Sequence, residues 1–128
     1  MPLSNHRVGA AVAVSDMSRA REFYEGKLAF TAEGDDPDGG RTYACGEGTT
    51  LHVFPSPGGA GASGATVAGW TVDDLESLVD ELTSAGVAFE RYDDDRIATD
   101  DKGIATFGDA KSAWFKDPDG NVLALVQP

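Results

Sequence analysis

The sequence repeats one pattern of strand and helix signals after 58 residues, and this repeat constrains the fold more than any other feature. In the first copy, apolar residues alternate over residues 8–14, which indicates a strand. Asp16 then offers an N-cap oxygen to a helix whose apolar residues recur at helical spacing as far as Tyr24. The second copy has a strand over residues 66–72 and an N-cap at Asp74. Six positions match at this shift: Val12, Val14, Asp16, Met17, Ala20 and Tyr24 correspond to Trp70, Val72, Asp74, Leu75, Leu78 and Leu82. A duplicated strand-helix-strands unit follows.

Further strand-like segments complete both copies. Residues 30–33, 41–45 and 49–54 follow the first helix, and residues 87–92, 112–116 and 121–126 follow the second. The last two are joined by a turn over residues 117–121, in which Pro118 presets φ and Gly120 supplies a positive φ. These alternating signals predict an α+β fold in a single domain over residues 1–128. Module one covers residues 1–54, a Gly-rich mobile connector covers 55–65, and module two covers 66–128.

The charge of the chain limits its partners. Its 22 acidic and 10 basic residues give a formal net charge of -12. Phosphate backbones and anionic lipid surfaces repel such a protein, so the sequence argues against nucleic acid and membrane as partners. A basic small molecule suits the charge better, although a high net charge also serves solubility alone.

Cysteine content and hydropathy indicate the compartment. Cys45 is the only cysteine, so it cannot form an intramolecular disulfide. The first residues lack the basic and apolar segments of a secretory signal, and the chain has no run of 18 apolar residues. We therefore expect a cytoplasmic protein.

Three segments together resemble the vicinal oxygen chelate superfamily, which includes glyoxalases, extradiol dioxygenases and bleomycin-resistance proteins. They are the strand end and helix over residues 14–24, the corresponding residues 69–75, and the final hairpin over residues 114–123. Each is capping or turn chemistry by itself, but their order and spacing extend over nearly the whole chain. The resemblance implies two βαβββ modules whose curved sheets form an open-sided cavity, often with a divalent metal inside, and it implies a homodimer.

The resemblance also indicates where metal ligands would lie. The two positions seven residues before the helix-capping aspartates are Gly9 and Val67, and the position in the last strand is Ala124. None of these side chains has a ligand atom, and His52 alone occupies the remaining position. A metal site needs several converging donors, so we expect neither a metal nor another cofactor.

We expect the emptied cavity to bind a small molecule. His52 and Ala124 are 72 positions apart, which is 14 more than the repeat, so module two contains an insertion around residues 93–111. We interpret it as a flap over the ligand rather than as a calcium loop, since its aspartates lack calcium-loop spacing. The predicted ligand-binding residues are His52, Phe54, Tyr43, Phe107, Trp114 and Arg96. Matching Trp70 to Val12 places Trp70 under a helix, whereas Trp114 fits core and cavity equally.

Three functions remain open at this point. The first is metal-independent binding or sequestration of a small molecule, such as a basic or aromatic drug. The second is a lyase, isomerase or dioxygenase of the same superfamily with an atypical active site, in which His52 is a weak candidate for a general base. The third is an interaction module that has no small ligand and pairs through its sheet edges.

Overall fold

The computed structural model describes residues 2–128 and contains two four-stranded sheets, each with its own helix. The first sheet has β1 (Ala10–Val14), β2 (Ala32–Asp35), β3 (Arg41–Ala44) and β4 (Thr50–Pro55) in the order β1-β4-β3-β2. The second has β5 (Thr66–Thr71), β6 (Ile104–Phe107), β7 (Ala110–Lys116) and β8 (Val122–Gln127) in the order β5-β8-β7-β6. In both, the first and last strands are parallel and the other pairs are antiparallel. The predicted α+β fold with two open βαβββ modules is confirmed.

The helices begin where the capping residues predict. Helix α1 (Met17–Arg21) continues as a π-helical segment, Glu22–Lys27, and α2 spans Leu75–Ser84. The Asp16 carboxylate accepts hydrogen bonds from two backbone N–H groups of the first turn of α1, and Asp74 accepts one from Ser77 in α2. Short 3-10 turns lie at Leu3–Asn5 and Gly46–Gly48. Within residues 2–128, no helix has the length and hydropathy that a membrane span requires.

The strand register supports the alignment of the two modules. Ala11 of β1 lies opposite His52 of β4, and Gly69 of β5 lies opposite Ala124 of β8. Ala11 and Gly69 are 58 positions apart, whereas His52 and Ala124 are 72 apart. Pairing therefore makes His52 and Ala124 equivalent in space, although the second module is longer.

The extra residues of module two lie nearer its helix than the sequence predicted. Residues 87–92 do not form a strand, because Phe89 makes only an isolated pairing with Phe115. Six of the 19 residues in the predicted insertion at 93–111 are in strands, since β6 and the start of β7 pair there. The irregular stretch is therefore 90–103. The sequence did not predict strand β6, because the alternation over Ile104–Phe107 is short and lies among acidic residues.

One hydrophobic core fills the space between the helix-bearing faces of both sheets. Phe30 of module one packs on Trp70 of module two with ring centroids 5.8 Å apart. Phe23 of module one lies 6.2 Å from Phe115 of module two. Trp70 thus packs against the core, as its match to Val12 predicts. We call the opposite face of each sheet its outer face.

The final turn of module two connects the modules through buried polar groups. Asn121 is 4% exposed, and its Nδ2 donates hydrogen bonds to the Ala13 carbonyl at 2.8 Å and to Asp117 at 2.8 Å. Its Oδ1 accepts a hydrogen bond of 3.0 Å from the Gly61 backbone N–H. Tyr24 donates to Asp117 at 2.8 Å. We call these five residues the Asn121 latch. Because it includes Gly61, the connector is anchored to module two at this point rather than being a free linker.

Candidate functional site

A groove lies where the start of β1 approaches the end of β5. Its volume is about 750 Å³, which is within the range of small-molecule sites. Both modules line it: module one contributes Val8–Ala10, Cys45–Glu47 and Thr49–Leu51, and module two contributes Ala68–Thr71 and Asp73. The two-module construction therefore creates a concave site that neither module has alone.

Small residues keep this groove open. Gly9 and Ala10 lie on one wall, and Ala68 and Gly69 lie on the other. A Cβ at Gly69 would meet the Ala124 carbonyl at 3.5 Å, which is ordinary van der Waals contact. The backbone at Gly69 therefore has room for a Cβ without strain.

Two carboxylates and several hydroxyls supply the polar chemistry of the groove. Glu47 adopts φ 57 and ψ 37, the left-handed region that few residues other than glycine occupy. Asp73 lies on the opposite side, after β5, and Thr49, Thr50 and Thr71 add hydroxyl groups. The described lining itself has no lysine or arginine, but Arg7 lies next to it and donates a hydrogen bond of 3.2 Å to the Gly48 carbonyl, so the two carboxylates exceed one neighbouring positive charge. The groove therefore favours a cation.

Three of the four positions where the family resemblance would place metal ligands do not fit a metal ion. Gly9, Val67 and Ala124 have no coordinating atom. A Cβ added at Gly9 would already lie 3.1 Å from the Thr50 hydroxyl, which is tighter than most real contacts, so Thr50 has to shift before Gly9 carries a side chain. Ala124 is 5% exposed against its neighbours. Metal coordination at these positions is not supported by the residues present.

His52, the weak candidate for a catalytic base, lies on the outer face of the first sheet and does not line the groove. Its Nε2 is 2.7 Å from an Asp38 oxygen, and its Nδ1 is 2.9 Å from an Asp36 oxygen. A hydrogen bond from the Gly40 backbone N–H, and then one from His52, hold the pKa of Asp38 below its usual value. Phe54 stacks on the imidazole with centroids 5.5 Å apart, so two of the predicted ligand-binding residues contact each other.

Tyr43, another predicted ligand-binding residue, is in the core. Its ring is fully buried and stacks on Tyr24 and Phe30. Burial and a hydrogen bond of its hydroxyl to Glu25 raise the pKa of Tyr43. The side chain is therefore occupied by packing, and it contacts neither the groove nor His52.

The other three predicted ligand-binding residues lie in module two, outside the groove. Trp114 is opposite Ala124 on the outer face and packs edge-on against Tyr92, with centroids 5.5 Å apart. Phe107 is 45% exposed at the end of β6. Arg96 is exposed in the irregular stretch, which folds back on module two through ion pairs of Lys102 with α2. The structure thus brings Phe54 to His52 but leaves the remaining predicted residues apart.

Sequence reasoning did not single out the two carboxylates that line the groove. Glu47 stands between Gly46 and Gly48, in the short gap between two predicted strands. Asp73 precedes the capping residue of α2 and had no separate signal. A charged residue between two glycines was the one local clue to a special backbone conformation.

Comparisons with known proteins give consistent results. A family model described as the Glyoxalase/Bleomycin resistance protein/Dioxygenase superfamily matches residues 6–125. No significant match was found among curated proteins.

Solved structures share the fold over nearly the whole chain. A glyoxalase/bleomycin resistance protein from Catenulispora acidiphila is 21% identical with a TM-score of 0.72, over 95% of this chain and 97% of that chain. TnmS3, an antibiotic binding protein from Streptomyces sp. CB03234, is 27% identical with a TM-score of 0.69, over 96% and 95%. A bleomycin resistance determinant encoded on transposon Tn5 is 24% identical with a TM-score of 0.71, over 95% and 97%.

Proposed function

The chain belongs to the glyoxalase/bleomycin resistance protein/dioxygenase superfamily, and on this premise we propose that it binds and sequesters a basic small molecule without a metal. The site is the groove between β1 and β5. The observation that carries this proposal is a volume of about 750 Å³ enclosed by both modules, with small apolar walls and a few polar groups. Basic antibiotics are the ligand class that we propose.

Charge supports a basic ligand. Glu47 and Asp73 face the groove from the two modules, and the protein as a whole has a net charge of -12. The whole-protein field attracts a cation during approach, and the two carboxylates position it after entry. The edge of Trp70 offers an aromatic surface beside them.

The chemistry of the lining supports binding over catalysis. The described lining residues include carboxylates, hydroxyls and the Cys45 thiol but no imidazole, and the thiol contacts the Tyr43 carbonyl at 3.9 Å. Three of the four family ligand positions, Gly9, Val67 and Ala124, lack donor atoms. The relative TnmS3, which is 27% identical, is an antibiotic binding protein, and this adds support for the same class of function.

A thermal-shift screen tests the proposal. The melting temperature of the wild-type protein is measured with basic glycopeptides and with cationic planar aromatic antibiotics. A ligand at a concentration of about 100 times its Kd adds about 2.7 kcal/mol to the free energy of unfolding. Gly69→Leu adds a bulky side chain at a residue that lines the groove, and it is expected to abolish the shift. Gly58→Leu is the matched control, since nothing lies within 4 Å of a Cβ at Gly58. The absence of a shift with every basic compound, or an equal shift in Gly69→Leu, contradicts the proposal.

The second candidate function is catalysis by His52, because Asp36 orients its Nδ1 as a carboxylate orients a general base. The enzyme is then a lyase, isomerase or dioxygenase with an atypical site. Mass spectrometry of a ligand identified by the screen separates the two functions: recovery of the unchanged compound supports sequestration. Turnover that is lost in His52→Gln supports the enzyme.

We also propose that the protein is a homodimer that pairs through outer sheet faces. Phe107 and Val126 are 45% and 37% exposed on the outer face of the second sheet. Light scattering coupled to gel filtration is expected to give twice the chain mass of 13.3 kDa. Phe107→Asp is expected to give a monomer, whereas its neighbour Thr106→Asp, on the other face of β6, is the control.

A further inference from the structure

Three side chains of module one that do not line the groove lie close together on the outer face of the first sheet. Asp36 and Asp38 come from the turn between β2 and β3, and His52 comes from β4. Pairing of β3 with β4 places Thr42 opposite His52 and brings the turn over the imidazole. The two aspartates, which are 16 and 14 positions before His52, thus lie close to it in space. The pairing of β4 fixes the position of the histidine.

We propose that Asp36, Asp38 and His52 form a binding site for a divalent transition-metal ion, with zinc as the representative ion. One potential ligand atom from each of the three residues lies within 4.8 Å of the other two. The Asp38 oxygen is 2.7 Å from Nε2 of His52. Zinc bonds to nitrogen and oxygen are about 2.0–2.2 Å long, so ligands around one ion normally lie about 3 Å apart. Modest side-chain movement therefore accommodates an ion between these groups.

The second ring nitrogen supports the same assignment. A metal-bound histidine usually donates its other N–H to a carboxylate, which fixes the ring orientation. Asp36 lies 2.9 Å from Nδ1 of His52, and the Thr42 hydroxyl donates a hydrogen bond of 2.7 Å to the same Asp36 oxygen. Nε2 is therefore the ring atom directed at the ion, together with Asp38. Asp36 orients the ring from the Nδ1 side, so the protein ligands are Nε2 of His52 and the Asp38 carboxylate, and water completes the coordination.

Local charge favours a cation at this site. Within residues 2–128, the ion pairs of Asp36 and Asp38 go only to His52. The nearest arginine of β3, Arg41, is instead paired with Asp35 and Glu25. Two carboxylates thus share one imidazole, and a divalent ion neutralises the excess negative charge. About 30% of the His52 side chain is exposed, which gives an ion access.

The donor set determines the class of ion. An imidazole nitrogen together with a carboxylate suits zinc and other first-row divalent ions, whereas calcium prefers six to eight oxygen ligands. The site shares only His52 with the positions that the family resemblance names, since Gly9, Val67 and Ala124 provide no ligand. It does not include any residue of the groove, so it is independent of ligand binding there.

Zinc titration of chelator-treated protein tests the site. Isothermal titration calorimetry is expected to show one zinc ion per chain, and affinity at least tenfold weaker in His52→Gln and in Asp38→Asn. The matched controls are His6→Gln, which removes the only other imidazole, and Asp109→Asn, which changes an exposed aspartate. Both controls are expected to bind zinc like wild type.

NMR spectra of the wild type make the test independent of variant folding. The chain has two histidines, so its ring-proton spectrum contains two sets of signals, which His6→Gln assigns. Zinc is expected to shift the His52 signals and leave those of His6 unchanged. Three results overturn the proposal: absence of zinc binding, zinc binding that survives His52→Gln, or calcium binding as tight as zinc binding. Failure of the groove proposal changes none of these readouts, because the antibiotic screen is run without metal.

Discussion

Replacing Asn121 by alanine removes the centre of the latch that joins the modules, and we expect it to lower the free energy of unfolding by about 2–4 kcal/mol. The side chain makes three hydrogen bonds, to the Ala13 carbonyl, to Asp117 and from the Gly61 N–H, at 2.8, 2.8 and 3.0 Å. Ala13 and Gly61 are only half-buried, so water replaces part of each lost bond. Each of the three bonds then contributes about 1 kcal/mol.

Urea denaturation followed by circular dichroism measures this loss. For a domain of this size, the expected change corresponds to a decrease in Tm of about 8–16 °C. Asn5→Ala is the matched control, because Asn5 is the only other asparagine and is exposed. A free energy of unfolding for Asn121→Ala within about 0.5 kcal/mol of wild type would refute the reasoning that the latch stabilises the fold.

Three further outcomes concern the latch and the cap of α2. Tyr24→Phe removes a buried hydroxyl donor and is expected to lower the free energy of unfolding by about 1–2 kcal/mol in the same urea assay. Gly61→Ala puts a Cβ 2.0 Å from the Asp119 carbonyl oxygen at φ +65, so we expect a loss of about 2–4 kcal/mol, with Gly58→Ala unchanged as its control. The Ser77 hydroxyl, and then the Ser77 backbone N–H, lower the pKa of Asp74. The ionised carboxylate therefore contributes fully to the free energy of unfolding above about pH 4, and this contribution is lost as pH falls through the lowered pKa of the folded state. Asp74→Asn keeps a capping oxygen but does not titrate, and thermal melts between pH 2 and 7 are expected to show a shallower acid dependence; an unchanged acid slope contradicts this assignment.

Local signals in the sequence were sufficient for the secondary structure that organises the fold. The capping aspartates Asp16 and Asp74 begin their helices as predicted, because an N-cap acts on backbone N–H groups two or three residues away. The duplication was equally visible, since each module repeats the same local pattern. The strand predicted at residues 87–92 was wrong because strand pairing is decided by a distant partner, and there only Phe89 finds one.

The candidate site depended far more on tertiary contacts. The sequence alone established that Gly9, Val67 and Ala124 have no metal-binding atoms, since that is a property of the residue type. It did not reveal the groove, which forms only where β1 and β5 approach each other. The role of Tyr43 was likewise not predictable from the sequence. An aromatic ring can contact a ligand or pack in a core, and in the structure Tyr43 stacks on Tyr24 in the core.

The sequence by itself determined the repeated strand and helix pattern, the helix caps and the lack of a donor atom at Gly9, Val67 and Ala124, because these follow from residue types and spacings within one module. The family resemblance implied the two βαβββ modules and identified those three positions as ligand positions. Only the tertiary structure decided which polar groups meet. The latch at Asn121 joins residues 60 and 108 positions apart. The cluster at His52 forms because a turn folds over a paired strand. Such contacts arise from three-dimensional packing, and no local pattern in the sequence encodes them.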